Sequence, residues 1–275
     1  MILHAVETGN GPPVALLHGL FGQAGNFGTV QRLLSPRHRV IALDLRNHGA
    51  SFHASAMSYS AMAEDVLATL GARGALPCAL AGHSMGGKVA IMAALEAPAA
   101  VSRLLVSDIA PVRYPPGFRD LAAAMAAIPL LPGLTRAQAD AALAAAGDSR
   151  VRAFLLQNLH FGATPHWRIG LEAIIAALPD LEGWPDRDGT PYAGPALFVA
   201  GARSDYIRPA HRATIRALFP LARFVTVKDA GHWVHADNPA GFAAVAEAFL
   251  TGPPGPGQPG LHSSPRAGAG RRDDG

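Results

Sequence analysis

Between an apolar run ending at Ala81 and a helical stretch entered by Val89 lies Gly82-His83-Ser84-Met85-Gly86-Gly87. A Gly-x-Ser-x-Gly pattern in that setting requires a turn so tight that only glycine-sized neighbours avoid collision, and it strains the serine backbone. The Ser84 hydroxyl then stands exposed at a strand end. The Met85 amide opens the next helix, where it can meet a developing negative charge. Such a pentapeptide also occurs in ordinary loops, so the rest of the chain has to decide. The same stretch fits a second spacing, since Gly82 to Lys88 reads as a phosphate-binding loop. Val89 then occupies the place where Ser or Thr would hold magnesium, and it has no oxygen to offer.

The order of elements around this turn is regular. Val14-Ala15-Leu16-Leu17, Val40-Ile41-Ala42-Leu43 and residues 78–81, 104–107, 196–200 and 222–227 are short apolar runs that read as strands buried on both faces. Helical patterns separate them. Met62, Val66 and Leu70 recur at spacing four, a helix follows Ser84, and a last one runs from about Pro239 to Leu250. Strands and helices alternating this way predict right-handed crossovers and an α/β fold with a mostly parallel central sheet and helices on both faces.

The alternation breaks between residues 111 and 190, where helix signals and proline clusters occur without a convincing strand. Thr135-Arg136-Ala137-Gln138 has the form of a capping box. The expected organisation is therefore a core of residues 1–110 and 191–251, a helical cap insertion of residues 111–190, and a disordered glycine- and proline-rich tail of residues 252–275.

Composition narrows the function classes. Hydrophobic residues are 49% and charged residues 16% of the 275, as in a globular protein. The net charge of +3 comes from scattered Lys and Arg, with no run that would suit nucleic acid. No basic-then-apolar leader opens the chain and no ~18-residue apolar run spans a membrane, so neither a signal peptide nor a membrane partner is expected. Cys78 is the only cysteine, which excludes an intrachain disulfide and suits the cytoplasm. It reads as a small buried hydrophobe.

In a parallel sheet the carboxyl ends of the strands lie along one edge, so Ser84, Asp108, Asp205 and His232 can meet there. Together with His18-Gly19-Leu20-Phe21-Gly22, Asp44-Leu45-Arg46-Asn47-His48-Gly49, Ser107-Asp108-Ile109-Ala110-Pro111 and Ala230-Gly231-His232-Trp233, the chain resembles capped α/β-hydrolases, and among them the YbfF-like esterases. The resemblance covers residues 1 to about 250 and implies the chain order serine, acid, histidine. Ser84 is then the nucleophile and His232 its base, with His235 the fallback, while His18 and His83 shape the site. The general fold would take its acid from Asp205, whereas the YbfF-like pattern places it at Asp108, which is favoured.

The oxyanion hole is expected from the backbone amides of Leu20 and Met85. Phe21 and Trp233 are expected to bind substrate, with Leu130, Leu131, Phe161 and Trp167 of the cap completing an apolar acyl pocket. Asp44 and Arg46 are read as a loop ion pair. The expected activity is a serine esterase or thioesterase acting on small to medium acyl groups, without metal or organic cofactor. Other chemistries of the fold remain open at this point, namely carbon–carbon bond hydrolysis, a menaquinone-pathway lyase and perhydrolysis, as does a non-catalytic ligand-binding protein. Sequence alone leaves the oligomeric state open.

Overall fold

The computed structural model describes residues 1–186 and 189–253. Seven strands form one sheet: β1 (Ala5–Thr8), β2 (Pro13–Leu17), β3 (Arg39–Leu43), β4 (Cys78–His83), β5 (Val101–Ser107), β8 (Ala196–Gly201) and β9 (Ala222–Val227). Their spatial order is β1-β3-β2-β4-β5-β8-β9. Only β1 runs antiparallel to its neighbour, and the other pairs are parallel. All six of the apolar runs are strands.

Alternation along each strand feeds two cores. Val14 and Leu16 of β2 with Val40 and Ala42 of β3 pack beneath α1 (Gly28–Leu34) and α10 (Pro239–Leu250). Ala15, Leu17, Ile41 and Leu43 face the other way, onto α2 (Tyr59–Ala72) and α3 (Met85–Glu96). Burial on both faces is what makes these strands wholly apolar in sequence. Helix α2 starts where the Ser58 hydroxyl accepts the Ala61 amide, a side-chain cap. Two short helices, α8 (Arg212–Leu218) and α9 (Val234–Asp237), complete this part of the chain.

Between β5 and β8 the chain forms α4 (Arg119–Ala126), α5 (Arg136–Ala142), α6 (Ser149–Leu156) and α7 (Leu171–Glu182). The capping box at α5 is present, with Thr135 and Gln138 each serving the other's backbone amide. One expectation fails here: Leu159–His160 (β6) and His166–Trp167 (β7) pair as a two-residue antiparallel ladder. Two residues are too few to leave a period-2 pattern in a sequence. Helix α7 ends against the other elements, for Tyr59 Oη donates to Leu181 O at 2.5 Å and the Tyr114 amide to Glu182 O at 2.8 Å. Lys88 Nζ donates to Gly183 O at 2.5 Å.

The expected disordered tail falls, from residue 254 onward, outside the described residues. Its first two residues do have partners, because Arg103 donates to the carbonyls of Gly252 and Pro253 at 2.6 and 2.8 Å. Among the described residues, no helix is long and apolar enough to cross a membrane.

Candidate active site

Ser84 sits between β4 and α3 with φ 52° and ψ −121°, a region that L-residues avoid. The glycines around it allow the turn. A Cβ on Gly82 would run into the Gly86 carbonyl, and one on Gly86 into the carbonyls of Leu17 and His18. Asp108 directly follows β5 with φ 54°, a second strained residue at the same sheet edge. Both are locked by backbone bonds, Ser84 N to Ser107 O at 3.0 Å and Asp108 N to Val199 O at 2.8 Å.

His232 reaches both residues from the loop after β9. Its Nε2 lies 3.0 Å from Ser84 Oγ and its Nδ1 lies 2.8 Å from Asp108 Oδ2. With Nδ1–H donated to the carboxylate, Nε2 presents its lone pair to the serine hydroxyl. Asp108 is fully buried and accepts two more donors, the Gly201 amide at 3.1 Å and the Ser204 hydroxyl. Asp205 is exposed and takes no part in this network. Of the two carboxylates weighed from the sequence, Asp108 is the one beside His232.

Four other histidines surround this line. His83 Nε2 donates to His232 O at 2.8 Å and its ring lies 4.7 Å from those of His232 and His235. The Leu45 amide donates to His18 Nε2 at 3.0 Å, and the Phe21 amide to His48 Nε2 at 3.1 Å. The shaping roles expected of His18 and His83 correspond to these contacts, and His48 joins them. His235 is buried and stands away from the serine–aspartate line, packed on Phe27 at 4.5 Å.

Burial is the main reason these four rings stay neutral. His48 is pushed down to about 3 and His235 to about 4, and His18 and His83 are lowered as well. Unfolding returns each to its ordinary value of 6.5, so below that pH the unfolded chain binds more protons than the folded one. Their contribution to stability is complete above the unfolded value and is lost as pH falls toward the folded values. The loss is roughly 1.4 kcal/mol per histidine for each pH unit. We expect the melting temperature to drop steeply between about pH 6 and pH 4, and less steeply in H48Q. A wild-type melting temperature flat across that window would contradict the assignment.

The loop expected to supply an oxyanion donor is a turn closed by Gly22 N to Gly19 O at 2.9 Å, with Leu20 and Phe21 in its middle. Phe21 adopts φ 60° and gives its amide to His48, so that amide already has a partner. Met85 is the first residue of α3, whose leading amides have no partner within the helix. Leu20 and Met85 both border the space at Ser84.

Two chambers meet at Ser84. One, of about 170 Å³, is bounded by Phe21, Trp233, Phe118, Leu121, Val151 and Phe154 among others. The second, of about 120 Å³, is bounded by Lys88, Tyr59, Tyr114 and Glu182 as well as Met85. Phe21 and Trp233 line the first chamber as expected from sequence. Leu130, Leu131, Phe161 and Trp167 do not, and Leu131 is 65% exposed. Their places are taken by α4 and α6, whose apolar faces turn toward the serine.

Lys88, which suggested a phosphate loop, is buried with its ammonium 5.4 and 5.1 Å from the rings of Tyr59 and Tyr114. Burial, helped by Arg113 and opposed by Glu182, lowers it to about 7. Burial likewise pushes the Cys78 thiol up to about 12, as suits an inert core residue. The expected Asp44–Arg46 pair is absent. Arg46 Nε instead meets Asp65 at 2.6 Å, while Asp44 accepts His4 and the amides of Ala24 and Ala50. Each side chain has partners of its own, so proximity in sequence misled.

Sequence reasoning missed Ser204, on the far side of Asp108, and Tyr206, stacked on His232 with ring centroids 3.9 Å apart and planes at 21°. Neither belongs to a motif. Their only sequence signal is position, in the loop after β8 on the edge that carries the other groups. Among the described residues, no three His, Cys, Asp or Glu side chains converge as a metal ion would need.

Residues 14–245 match the alpha/beta hydrolase family. The chain belongs to that family. It is similar to the sn-1-specific diacylglycerol lipase ABHD11 of Mus musculus, 41% identical over 87% of this chain and 81% of the relative. It is also similar to esterase YbfF of Escherichia coli K12, 36% identical over 88% of this chain and 94% of the relative. Among solved structures, a marine microorganism esterase superposes with a TM-score of 0.87 at 33% identity, covering 90% of this chain and 99% of that one. With these relatives and the serine–histidine–aspartate arrangement, this alpha/beta hydrolase is a serine esterase or lipase.

Proposed function

We propose that Ser84, His232 and Asp108 carry out hydrolysis of carboxylic esters or thioesters with small to medium acyl groups. The observation that carries the assignment is the pair of contacts made by one imidazole, 3.0 Å to the serine hydroxyl and 2.8 Å to the buried carboxylate. In the first half-reaction Ser84 Oγ bonds to the acyl carbon as its proton passes to His232 Nε2. The imidazolium, stabilised by Asp108, then protonates the departing alkoxide or thiolate as the bond to the acyl carbon breaks. In the second half, water gives a proton to His232 and its oxygen to the acyl carbon. His232 returns the proton to Ser84, releasing the acid.

The amides of Leu20 and Met85 stabilise the tetrahedral oxyanion in both halves. The apolar chamber beside Phe21 and Trp233 receives the acyl chain, and residues 111–190 act as a cap over the core of residues 1–110 and 191–251. The named activity of the mouse relative, a diacylglycerol lipase, supports acylglycerols as one ester class. The single, buried cysteine supports a cytoplasmic setting.

A panel of p-nitrophenyl esters and acyl thioesters, assayed with the purified protein, tests this reading. We expect kcat/KM to rise with acyl length and then fall once the chain outgrows the chamber, and V151W to move that maximum toward shorter acyls. Flat activity across chain length would contradict an acyl-binding role for the chamber.

A further inference from the structure

One short segment of the cap touches both halves of the catalytic apparatus. Helix α6 and the two residues after it span 149–158, and Val151, Phe154 and Leu155 within it line the apolar chamber. At its end, Asn158 is buried and donates through Nδ2 to the Phe21 carbonyl at 2.8 Å. Gln157 adds a longer bond to the same oxygen at 3.3 Å. At its start, Arg150 pairs with Asp237 at 2.5 Å, and Asp237 accepts the Gly231 amide at 2.7 Å, one residue before His232.

The oxyanion loop depends on such support. Phe21 has positive φ, which a bulky side chain adopts only when its surroundings hold it there. Its amide is fixed by His48 within the core, and its carbonyl, among the described residues, accepts from the two amide side chains of residues 157 and 158. An acyl chain filling the space against Val151, Phe154 and Leu155 therefore presses on the same segment that holds the loop.

We propose that Asn158 is a positioning residue that couples occupation of the acyl chamber to the geometry of the oxyanion loop, so that acyl-chain binding is expressed in kcat and not only in KM. This rests on the hydrolase reading above. Binding energy from a part of the substrate remote from the reacting bond raises turnover only if it improves fit to the transition state. The Asn158 bond supplies the mechanical link that this requires.

The test compares wild type, N158A and N158D on p-nitrophenyl acetate, butyrate and hexanoate, with S84A as the control for the underlying reading. N158D keeps the size of the side chain and removes the donor. For wild type we expect kcat to rise roughly tenfold from acetate to hexanoate. In both variants that rise should flatten: kcat on hexanoate falls about tenfold further than kcat on acetate, and the decline of KM with chain length persists. Equal loss of kcat on all three esters, or a change in KM alone, would overturn the coupling. If neither variant folds, wild type still decides, because a kcat independent of acyl length would overturn it. Undiminished hydrolysis by S84A would instead remove the hydrolase reading itself, whatever the Asn158 variants do.

Discussion

Replacing Asp108 by alanine is expected to lower kcat for a p-nitrophenyl ester by about four orders of magnitude, while D205A stays close to wild type. The difference follows from what each carboxylate touches. Asp108 is fully buried, accepts His232 Nδ1–H at 2.8 Å, and is itself held by the Gly201 amide and the Ser204 hydroxyl. Removing it frees the imidazole to rotate, lets the other tautomer form, and leaves the imidazolium of the transition state without a counter-charge. Asp205 is an exposed residue whose backbone carbonyl accepts Arg208 Nε at 3.0 Å.

D108N serves as the companion variant. It preserves the volume of the buried side chain but offers His232 an amide, so its loss of turnover should approach that of D108A with less cost in stability. Steady-state kinetics with melting curves on all three proteins check this. Near-wild-type turnover in D108N and D108A would contradict the triad as described, and a collapse in D205A would move the acid to the loop after β8.

The sheet was the most legible part of the molecule, for a physical reason. Strands buried on both faces must be apolar throughout, as Val14–Leu17 and Val40–Leu43 are, and each stops where the sheet edge meets polar loops. The serine turn was legible because its geometry restricts residue type: Gly82 and Gly86 each face a carbonyl that any Cβ would strike. His232 and Asp108 followed from their places at strand ends once the resemblance had supplied the chain order.

Residues 111–190 were less legible, because their helices are positioned by contacts with distant parts of the chain. Leu130 and Leu131 looked like pocket residues by composition, yet they lie between α4 and α5 and point toward solvent. Phe118, Leu121 and Phe154 line the chamber instead, through a helix orientation that periodicity does not encode. Polar partners were harder still. The links from Asn158 to Phe21, Arg150 to Asp237 and Ser204 to Asp108 join residues up to 137 positions apart, and no local pattern announces them.

Hydrolysis by this site requires the Ser84 hydroxyl to be an activated nucleophile. A fluorophosphonate reports this directly, because its phosphorus is attacked by the same oxygen and the adduct occupies the place of the tetrahedral intermediate. An ordinary serine hydroxyl is a weak nucleophile, so fast labelling requires the Nε2 lone pair that stands 3.0 Å away. Removing the base while leaving the hydroxyl in place should cost labelling about as much as it costs turnover, on the order of a thousandfold or more.

Intact mass and peptide mapping after fluorophosphonate treatment are therefore the deciding measurement. We expect one adduct per chain, on the peptide that contains Ser84, absent from S84A and formed far more slowly in H232A. An adduct on another residue, or labelling of H232A at the wild-type rate, would contradict the account.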